Sequence, residues 1–391
     1  MRRLTLTEGA PAVEIDLSDE VAGALAEAEL AAVSRVPGGR SWLVTAGTKV
    51  GVVQVGELQV SVRPKIPIAR LIFLMGYAQK PSYWRDHSVL LDASTDLPEA
   101  LAHAFARLAT KALEQGLLQG YRSVDDSLAV VRGRIRVADQ ISRRYGRALP
   151  LEVTYDDFTV DIPENRLLLA AASTLLRVGQ PTADVRRRLL RLETRLADVT
   201  PLRRGEAVPS WQPSRLNARY HAALRLAELI LAGHSIEQHH GGVEVSGFVV
   251  DMWRVFEDFV CVALREAMSS VGGAASLQHK MHLDEAGAVP MRPDYLWRGH
   301  DGRVVVADAK YKVEKPSGFP NADLYQLLAY CTVLGVPAGH LIYARGEGDA
   351  TSHDVAGADV VIHVHTLDLD LPPAELLEQM SRLGVVLGLP S

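Results

Sequence analysis

The sequence predicts a mixed α+β chain: a β-rich N-terminal part (residues 1–155), a helical middle (156–240) and a C-terminal α/β core (241–391) whose mixed sheet is flanked by helices. Three observations carry this reading. Up to residue 66, apolar and polar residues alternate with the period of two that turns one strand face to a core. From Asp161-Ile162-Pro163-Glu164 to about Leu231 the pattern turns helical. From Val249 onward the order is helix, strand, hairpin, strand, helix and strand, which builds a sheet with helices on its faces.

Along the chain, Trp42-Leu43-Val44-Thr45, Val50 to Val55 and Leu58-Gln59-Val60-Ser61-Val62 read as strands, with Gly56-Glu57 as a tight hairpin turn. Pro64 and Pro67 end the last strand, because proline cannot donate to a ladder, and Ala69 to Tyr77 reads as a short apolar helix. A second helix runs from about Leu97 to Leu118. Leu128 to Val137 has a strand pattern and leads into a basic segment with few structural signals, expected to project as a loop or hairpin. Asp161 stands three positions before Glu164 with Pro163 in the first turn, which predicts a capping-box start for a long helix. Gly233 to Gly247 is rich in glycine and histidine. Its His234, His239 and His240 invite a metal, but no further Cys, Asp or His stands at ligand spacing, so a connecting loop is expected. Helices over Val250 to Met268 and Ala322 to Leu334 and a strand over Gly339 to Tyr343 complete the core; His363 and His365 share a strand face and receive no role.

With 48% hydrophobic and 23% charged residues in 391, wholesale disorder and a collagen-like chain are excluded. Cys261 and Cys331, the two cysteines, sit in apolar helix-like runs, so neither a disulfide framework nor a zinc cluster is available, as suits a reducing compartment. Met1-Arg2-Arg3-Leu4 leads into alternating residues, and no apolar run nears the ~20 residues that cross a bilayer. A cytoplasmic protein with no membrane partner is expected. The net charge of -5 argues against coating nucleic acid by bulk charge. Locally, Arg132, Arg134, Arg136, Arg143, Arg144 and Arg147 form one basic cluster, and Arg186, Arg187, Arg188, Arg191, Arg195, Arg203 and Arg204 a second. Such arginines suit phosphate, but a solvated helix face with partners such as Glu193 is the commoner meaning. Gly47-Thr48-Lys49 lacks the upstream glycine of a phosphate loop, so nucleoside triphosphate hydrolysis must come from another chain.

The chemistry concentrates in Arg292-Pro293-Asp294-Tyr295-Leu296-Trp297, a turn, and Arg303-Val304-Val305-Val306-Ala307-Asp308-Ala309-Lys310-Tyr311-Lys312. As a hairpin, its second strand puts Asp308 and Lys310 on one face and brings Asp294 beside them. Unpaired charges at the end of so apolar a strand cost several kcal/mol each, on the order of a buried ion. A metal removes that penalty: two carboxylates give Mg2+ the hard oxygens it prefers, and an ammonium two residues on steadies a hydroxide or a transition-state charge. On the upstream helix the apolar stripe is Met252, Phe256, Phe259, Val260 and Ala263, and Glu257 lies about 100° from its centre, at the flank. Gln326 and Tyr330 are four apart on one helix face, where their polar tips can order a phosphate, a water or Lys310. Alone, an Asp-x-Lys is more often a surface pair, Glu257 a solvated residue, and Gln326 and Tyr330 core-edge residues. The order Glu, Pro-Asp, Asp-x-Lys, Gln-x-x-x-Tyr is far harder to reach by accident.

That order resembles the PD-(D/E)xK nuclease superfamily, near its RecB-like branch. The rest of the chain is similar to the McrC family, the nuclease subunit of McrBC modification-dependent restriction systems. The resemblance rests on Val62-Arg63-Pro64-Lys65-Ile66, Gly116-Leu117-Leu118-Gln119-Gly120-Tyr121, Val131-Arg132-Gly133-Arg134-Ile135, and Tyr155-Asp156-Asp157-Phe158-Thr159 running into Asp161-Ile162-Pro163-Glu164-Asn165-Arg166, with the nuclease motifs after them. It implies a C-terminal PD-(D/E)xK endonuclease core with Asp294, Asp308, Lys310, Glu257, Gln326 and Tyr330 as catalytic residues. Asp294, Asp308 and Glu257 would hold Mg2+, with Mn2+ as a substitute. It further implies an N-terminal domain that docks on a hexameric McrB-like AAA+ GTPase and stimulates it, that partner recognising and translocating 5-methylcytosine-type DNA for defence. Two other readings stay open: an activator of the motor whose nuclease site is idle, and a stand-alone RecB-like nuclease acting on DNA without a GTPase.

Overall fold

In the computed structural model the N-terminal alternation becomes β1 (Arg2–Thr7), β2 (Val13–Ile15), β3 (Ala31–Arg35), β4 (Trp42–Ala46), β5 (Lys49–Val55) and β6 (Leu58–Arg63), with α1 (Asp19–Glu27) between β2 and β3. After β6 come α2 (Ile68–Gln79), α3 (Pro81–Trp84), α4 (Leu97–Leu113), β7 (Gly120–Leu128), β8 (Arg134–Ile135), α5 (Val137–Arg143), β9 (Leu151–Thr159), α6 (Pro163–Val178), α7 (Ala183–Arg195) and α8 (His221–Ala232). The remainder is β10 (His234–His240), β11 (Val243–Asp251), α9 (Met252–Ala267), β12 (Ala274–Leu277), β13 (Met281–His282), β14 (Pro290–Met291), β15 (Tyr295–Arg298), β16 (Val304–Lys310), α10 (Asn321–Leu334), β17 (Ala338–Ala344), β18 (Thr351–Asp354), β19 (Val361–Leu367) and α11 (Pro373–Gly388). The structure describes all residues except 1, 40, 87–95, 179–180, 204, 241–242, 312–320, 345–350 and 389–391, and the side chains of 234–246. Arg204 and Lys312, and the side chains of His234, His239 and His240, therefore lie outside the described residues.

Packing divides the chain into two units, residues 1–91 with 236–391, and residues 92–235. These units do not follow the division at 155 and 240, and the stretch from Gly233 to Gly247, expected as a connecting loop, forms β10 and the start of β11. The first unit contains a five-stranded sheet in the order β1-β6-β5-β11-β10, so two strands from the far side of the sequence complete the N-terminal sheet. The hairpin expected at Gly56-Glu57 is present, with Val55 paired to Leu58, and β11 runs antiparallel to β5 with Gly51 opposite Val249. A Cβ at Gly51 would stand 2.0 Å from the Phe248 carbonyl oxygen, so only glycine admits that close crossing.

The second sheet of this unit runs β12-β15-β16-β17-β19-β18. Its central β16–β17 and β17–β19 pairs are parallel and its flanking pairs antiparallel, the mixed sheet that the element order predicts. Leu327, Tyr330 and Cys331 of α10 pack with Val306, Leu341, Tyr343, Ile362 and Val364 of the strands. Helix α9 buries the stripe Met252, Phe256, Phe259, Val260 and Ala263 as its periodicity requires, each large side chain contributing about 1.5–3 kcal/mol. Phe259 also meets Phe73 and Tyr77 of α2, and the Met252 N–H donates to the Thr48 carbonyl at 3.2 Å. The helix is thereby tied to the N-terminal sheet as well as to the second one.

In the unit of residues 92–235, α4, α6 and α8 bury apolar faces together, and α7 packs on α4 and α6. The helix expected to reach Leu118 stops at Leu113. The expected strand over Leu128 to Val137 is instead the end of β7, the two-residue β8 and the start of α5, and the basic segment folds into a three-stranded sheet, β7-β9-β8, with that short helix. A buried carboxylate explains the difference: Glu152 receives Arg136 at 3.2 Å and Arg144 at 3.1 Å, which gathers the segment inward. The capping box at Asp161 does not form. The Asp161 carboxylate accepts from the Thr200 N–H at 2.9 Å and hydroxyl at 2.7 Å and from Arg122, while Glu164 accepts from Asn217 at 2.9 Å, so tertiary donors displaced the local ones. Helix α6 begins at Pro163 all the same.

Candidate functional site

The strand β16 presents Val306 and Asp308 to one face and Ala307 and Ala309 to the other, as a period of two dictates. Asp308 is 2% exposed. Lys310, on the same face, sets its Nζ against Asp308 Oδ2 as an ion pair. The contact lacks hydrogen-bond alignment, and neither Asp308 oxygen accepts a hydrogen bond from a described residue. Burial raises the Asp308 carboxyl well above the usual range and the neighbouring Asp294 adds to it, more than Lys310 offsets. For Lys310, burial works against the charge, yet the Asp308 carboxylate outweighs it and keeps the ammonium above its ordinary value.

Asp294 stands immediately before β15, whose Tyr295 pairs with Ala307 of β16, so the hairpin brings the two aspartates together. It too is buried. Its Oδ2 accepts from the Ala309 N–H at 2.9 Å and its Oδ1 from the Gln278 side-chain amide at 2.7 Å, while the Cys261 thiol donates to its carbonyl at 3.3 Å. Glu257, half-buried on the flank of α9, feels burial first and the Asp294 charge second, and its carboxyl is pushed up to about 8. It therefore holds its proton more tightly than a free glutamate.

Tyr330 is buried, and its hydroxyl accepts a hydrogen bond from the exposed Gln326 amide at 2.8 Å. Burial, with the Asp308 charge behind it, pushes the Tyr330 phenol up to about 12. The structure thus gathers Asp294, Asp308, Lys310 and Glu257 within electrostatic reach of one another, adds Tyr330 at the edge, and brings Gln326 in only through Tyr330. Three further residues carry the site that the motifs did not mark. Gln278 holds Asp294; buried Asp323 accepts from the Tyr343 hydroxyl at 2.9 Å; and Tyr343 is the cross-strand neighbour of Lys310. Asp323 lies in the first turn of α10, the element after the strand that ends at Lys310, and the two are too far apart in sequence for a spacing rule to connect them.

Two buried carboxylates, one of them accepting no hydrogen bond from a described residue, form a donor set that suits a hard divalent cation. The third expected ligand does not complete it here: among the described residues no three Asp, Glu, His or Cys side chains converge closely enough to hold an ion. Asp294 is engaged by Gln278 and Ala309, and Asp308 by Lys310. Among the described residues no helix is long and apolar enough to cross a membrane.

The fold and site define a mixed α/β protein with an acidic, lysine-bearing cluster at the end of adjacent sheet strands. The chain belongs to the family of McrBC 5-methylcytosine restriction system components, whose profile matches residues 44–344. The family resemblance read from the motifs is borne out. A refined half-complex from a tetradecameric assembly of Thermococcus gammatolerans McrB AAA+ hexamers with bound McrC contains a chain of similar fold, with a TM-score of 0.58 at 17% identity over 98% of this chain and 100% of that one. The Thermococcus gammatolerans McrBC complex solved by cryo-EM gives a TM-score of 0.40 at 18% identity over 68% of this chain and 88% of that one. No curated protein matches the chain.

Proposed function

We propose that this restriction-system component is a Mg2+-dependent DNA endonuclease subunit, with a PD-(D/E)xK core, that works on a McrB-like AAA+ GTPase. The observation that carries it is Asp308, buried beside Asp294 and ion-paired with Lys310, with neither oxygen accepting a hydrogen bond from a described residue. Lys310 balances one charge of a site that buries two carboxylates, and a bound cation would balance the other, whose burial otherwise costs several kcal/mol, on the order of a buried ion. Asp294 and Asp308 would hold the cation, with Glu257 as the third carboxylate. When bound, Mg2+ supplies an acidified water and a counter-charge for the phosphodiester. Lys310 then holds positive charge where a pentacovalent phosphate gathers negative charge, and Tyr330 with Gln326 offers a hydroxyl and an amide at the edge of the same face. Mn2+ meets the same oxygens and substitutes.

Association with a McrB-like AAA+ GTPase is supported by the likeness to a chain solved with McrB hexamers and by family membership. The unit of residues 92–235 suits that contact. Its β7-β9-β8 sheet, α5 and the turn after it expose Tyr121, Phe158, Ile141 and Tyr145 amid arginines, an apolar surface of the kind that marks an interface. Recognition of modified double-stranded DNA then belongs to the partner. The test is cleavage of methylated DNA by this chain with its GTPase partner, GTP and Mg2+: Asp308→Ala should abolish cutting while leaving GTPase stimulation intact. Cutting at the parental rate by that variant refutes the assignment; loss of both activities points to a damaged fold.

A further inference from the structure

Asp294 is gripped from two directions, and one grip comes from a residue outside every motif. We propose that Gln278 is a positioning residue of the acidic site, fixing the Asp294 carboxylate in the orientation a divalent cation requires; the inference rests on the metal-dependent reading above. Gln278 directly follows β12. Its backbone N–H donates to the Asp294 carbonyl at 2.9 Å, which carries the β12–β15 ladder one pair past Leu277 and Tyr295. Its side-chain Nε2 donates to Asp294 Oδ1 at 2.7 Å. One residue therefore sets both the main chain and the carboxylate of Asp294.

The backbone at Gln278 is in the left-handed region, with φ of +51°. Residues with a Cβ seldom adopt it, and glycine is the usual occupant. Nearby Gly272 and Gly273 take their own positive φ angles without a side chain to strain. A glutamine kept at such a position, with its amide on a buried carboxylate, indicates that the side chain has a use the backbone alone does not supply.

On the other side the Ala309 N–H donates to Asp294 Oδ2 at 2.9 Å. Among the described residues each oxygen thus has one donor and keeps lone-pair capacity free, since an ionised carboxylate has about four acceptor positions. Two donors on two oxygens fix the plane of the carboxylate as well as its place. Among the described residues the neighbouring Asp308 has the Lys310 ion pair but no comparable hydrogen-bond donors, so Asp294 is the pre-set ligand and Asp308 the adaptable one. Groups that orient a metal ligand in this way are worth roughly 10–100-fold in affinity.

The experiment is calorimetric titration of Mn2+ and Mg2+ into the full-length protein, its Gln278→Leu and Gln278→Gly variants, and Asp308→Asn, with melting temperatures measured on each. Both Gln278 variants should bind Mn2+ about 10–100-fold more weakly than the parent while remaining folded. Gln278→Gly should melt above Gln278→Leu, because both lose the amide but only glycine relieves the left-handed strain. A Gln278→Leu or Gln278→Gly protein that binds Mn2+ as tightly as the parent overturns the proposal, as does a glycine variant that melts below the leucine one. A parent that binds neither ion, or binds it no better than Asp308→Asn, overturns the metal reading and this inference with it. Parental cleavage combined with unaltered affinity in the Gln278 variants overturns this inference alone.

Discussion

Replacing Asp308 by asparagine should abolish cleavage and at the same time raise the stability of the metal-free protein. Asp308 is 2% exposed, neither oxygen accepts a hydrogen bond from a described residue, and its carboxyl is pushed up to about 7 by burial and by Asp294. Against 3.8 for the ordinary side chain, that difference amounts to at most about 4 kcal/mol of destabilisation at pH 8. Lys310 loses its counter-charge in the same substitution, so a net gain of about 2 kcal/mol is the reasonable expectation, or roughly 4–8 °C in melting temperature for a unit of this size. The pH dependence fixes the sign. A carboxyl raised in the fold binds its proton more tightly there than in the unfolded chain, so the parent loses stability as pH rises from about 4 through about 7. The asparagine variant should therefore match the parent near pH 4 and exceed it above pH 7. Mg2+ should raise the melting temperature of the parent and leave that of the variant unchanged. The assay is thermal denaturation across pH with and without Mg2+, beside a cleavage assay. A variant that melts below the parent at pH 8 without metal refutes the buried-charge argument, and one that cuts DNA refutes the site.

The remaining predictions concern other parts of the chain. The isolated protein should release no phosphate from GTP or ATP, since no glycine-rich nest with lysine and hydroxyl exists in its sequence; hydrolysis lost on mutating this chain would contradict that. The His340 and His365 imidazoles share a 3.1 Å hydrogen bond, with His363 stacked on His340, and burial above all pushes them down to about 3 and about 4. The fold thus holds them neutral while the unfolded chain takes up protons, so stability should fall as pH drops from about 6.5 toward 4, and His340→Gln should flatten that slope in acid denaturation. A fragment of residues 1–155 should not fold, because it leaves the edge of β5 without β11 and β10, whereas residues 92–235 should unfold cooperatively alone; circular dichroism melts of both fragments decide it.

What the sequence determined by itself was whatever repeats over a few residues. The alternation in Val304 to Lys310 put Asp308 and Lys310 on one face, the period of 3.6 in α9 buried Phe256 and Phe259 and left Glu257 at the flank, and the four-residue spacing of Gln326 and Tyr330 produced their hydrogen bond. These relations follow from chain geometry, which is the same wherever the segment is placed. The tertiary structure alone decided that β11 would join β5 almost two hundred residues away, that Gln278 would hold Asp294, that Thr200 would take the Asp161 carboxylate from its expected cap, and that His340 would meet His363 and His365. Each of those contacts pairs a donor or an apolar face with one of many equally suitable partners elsewhere in the chain. The choice among them depends on which arrangement buries the most apolar surface with the fewest unsatisfied polar groups, a property of the whole packed unit that no short window contains.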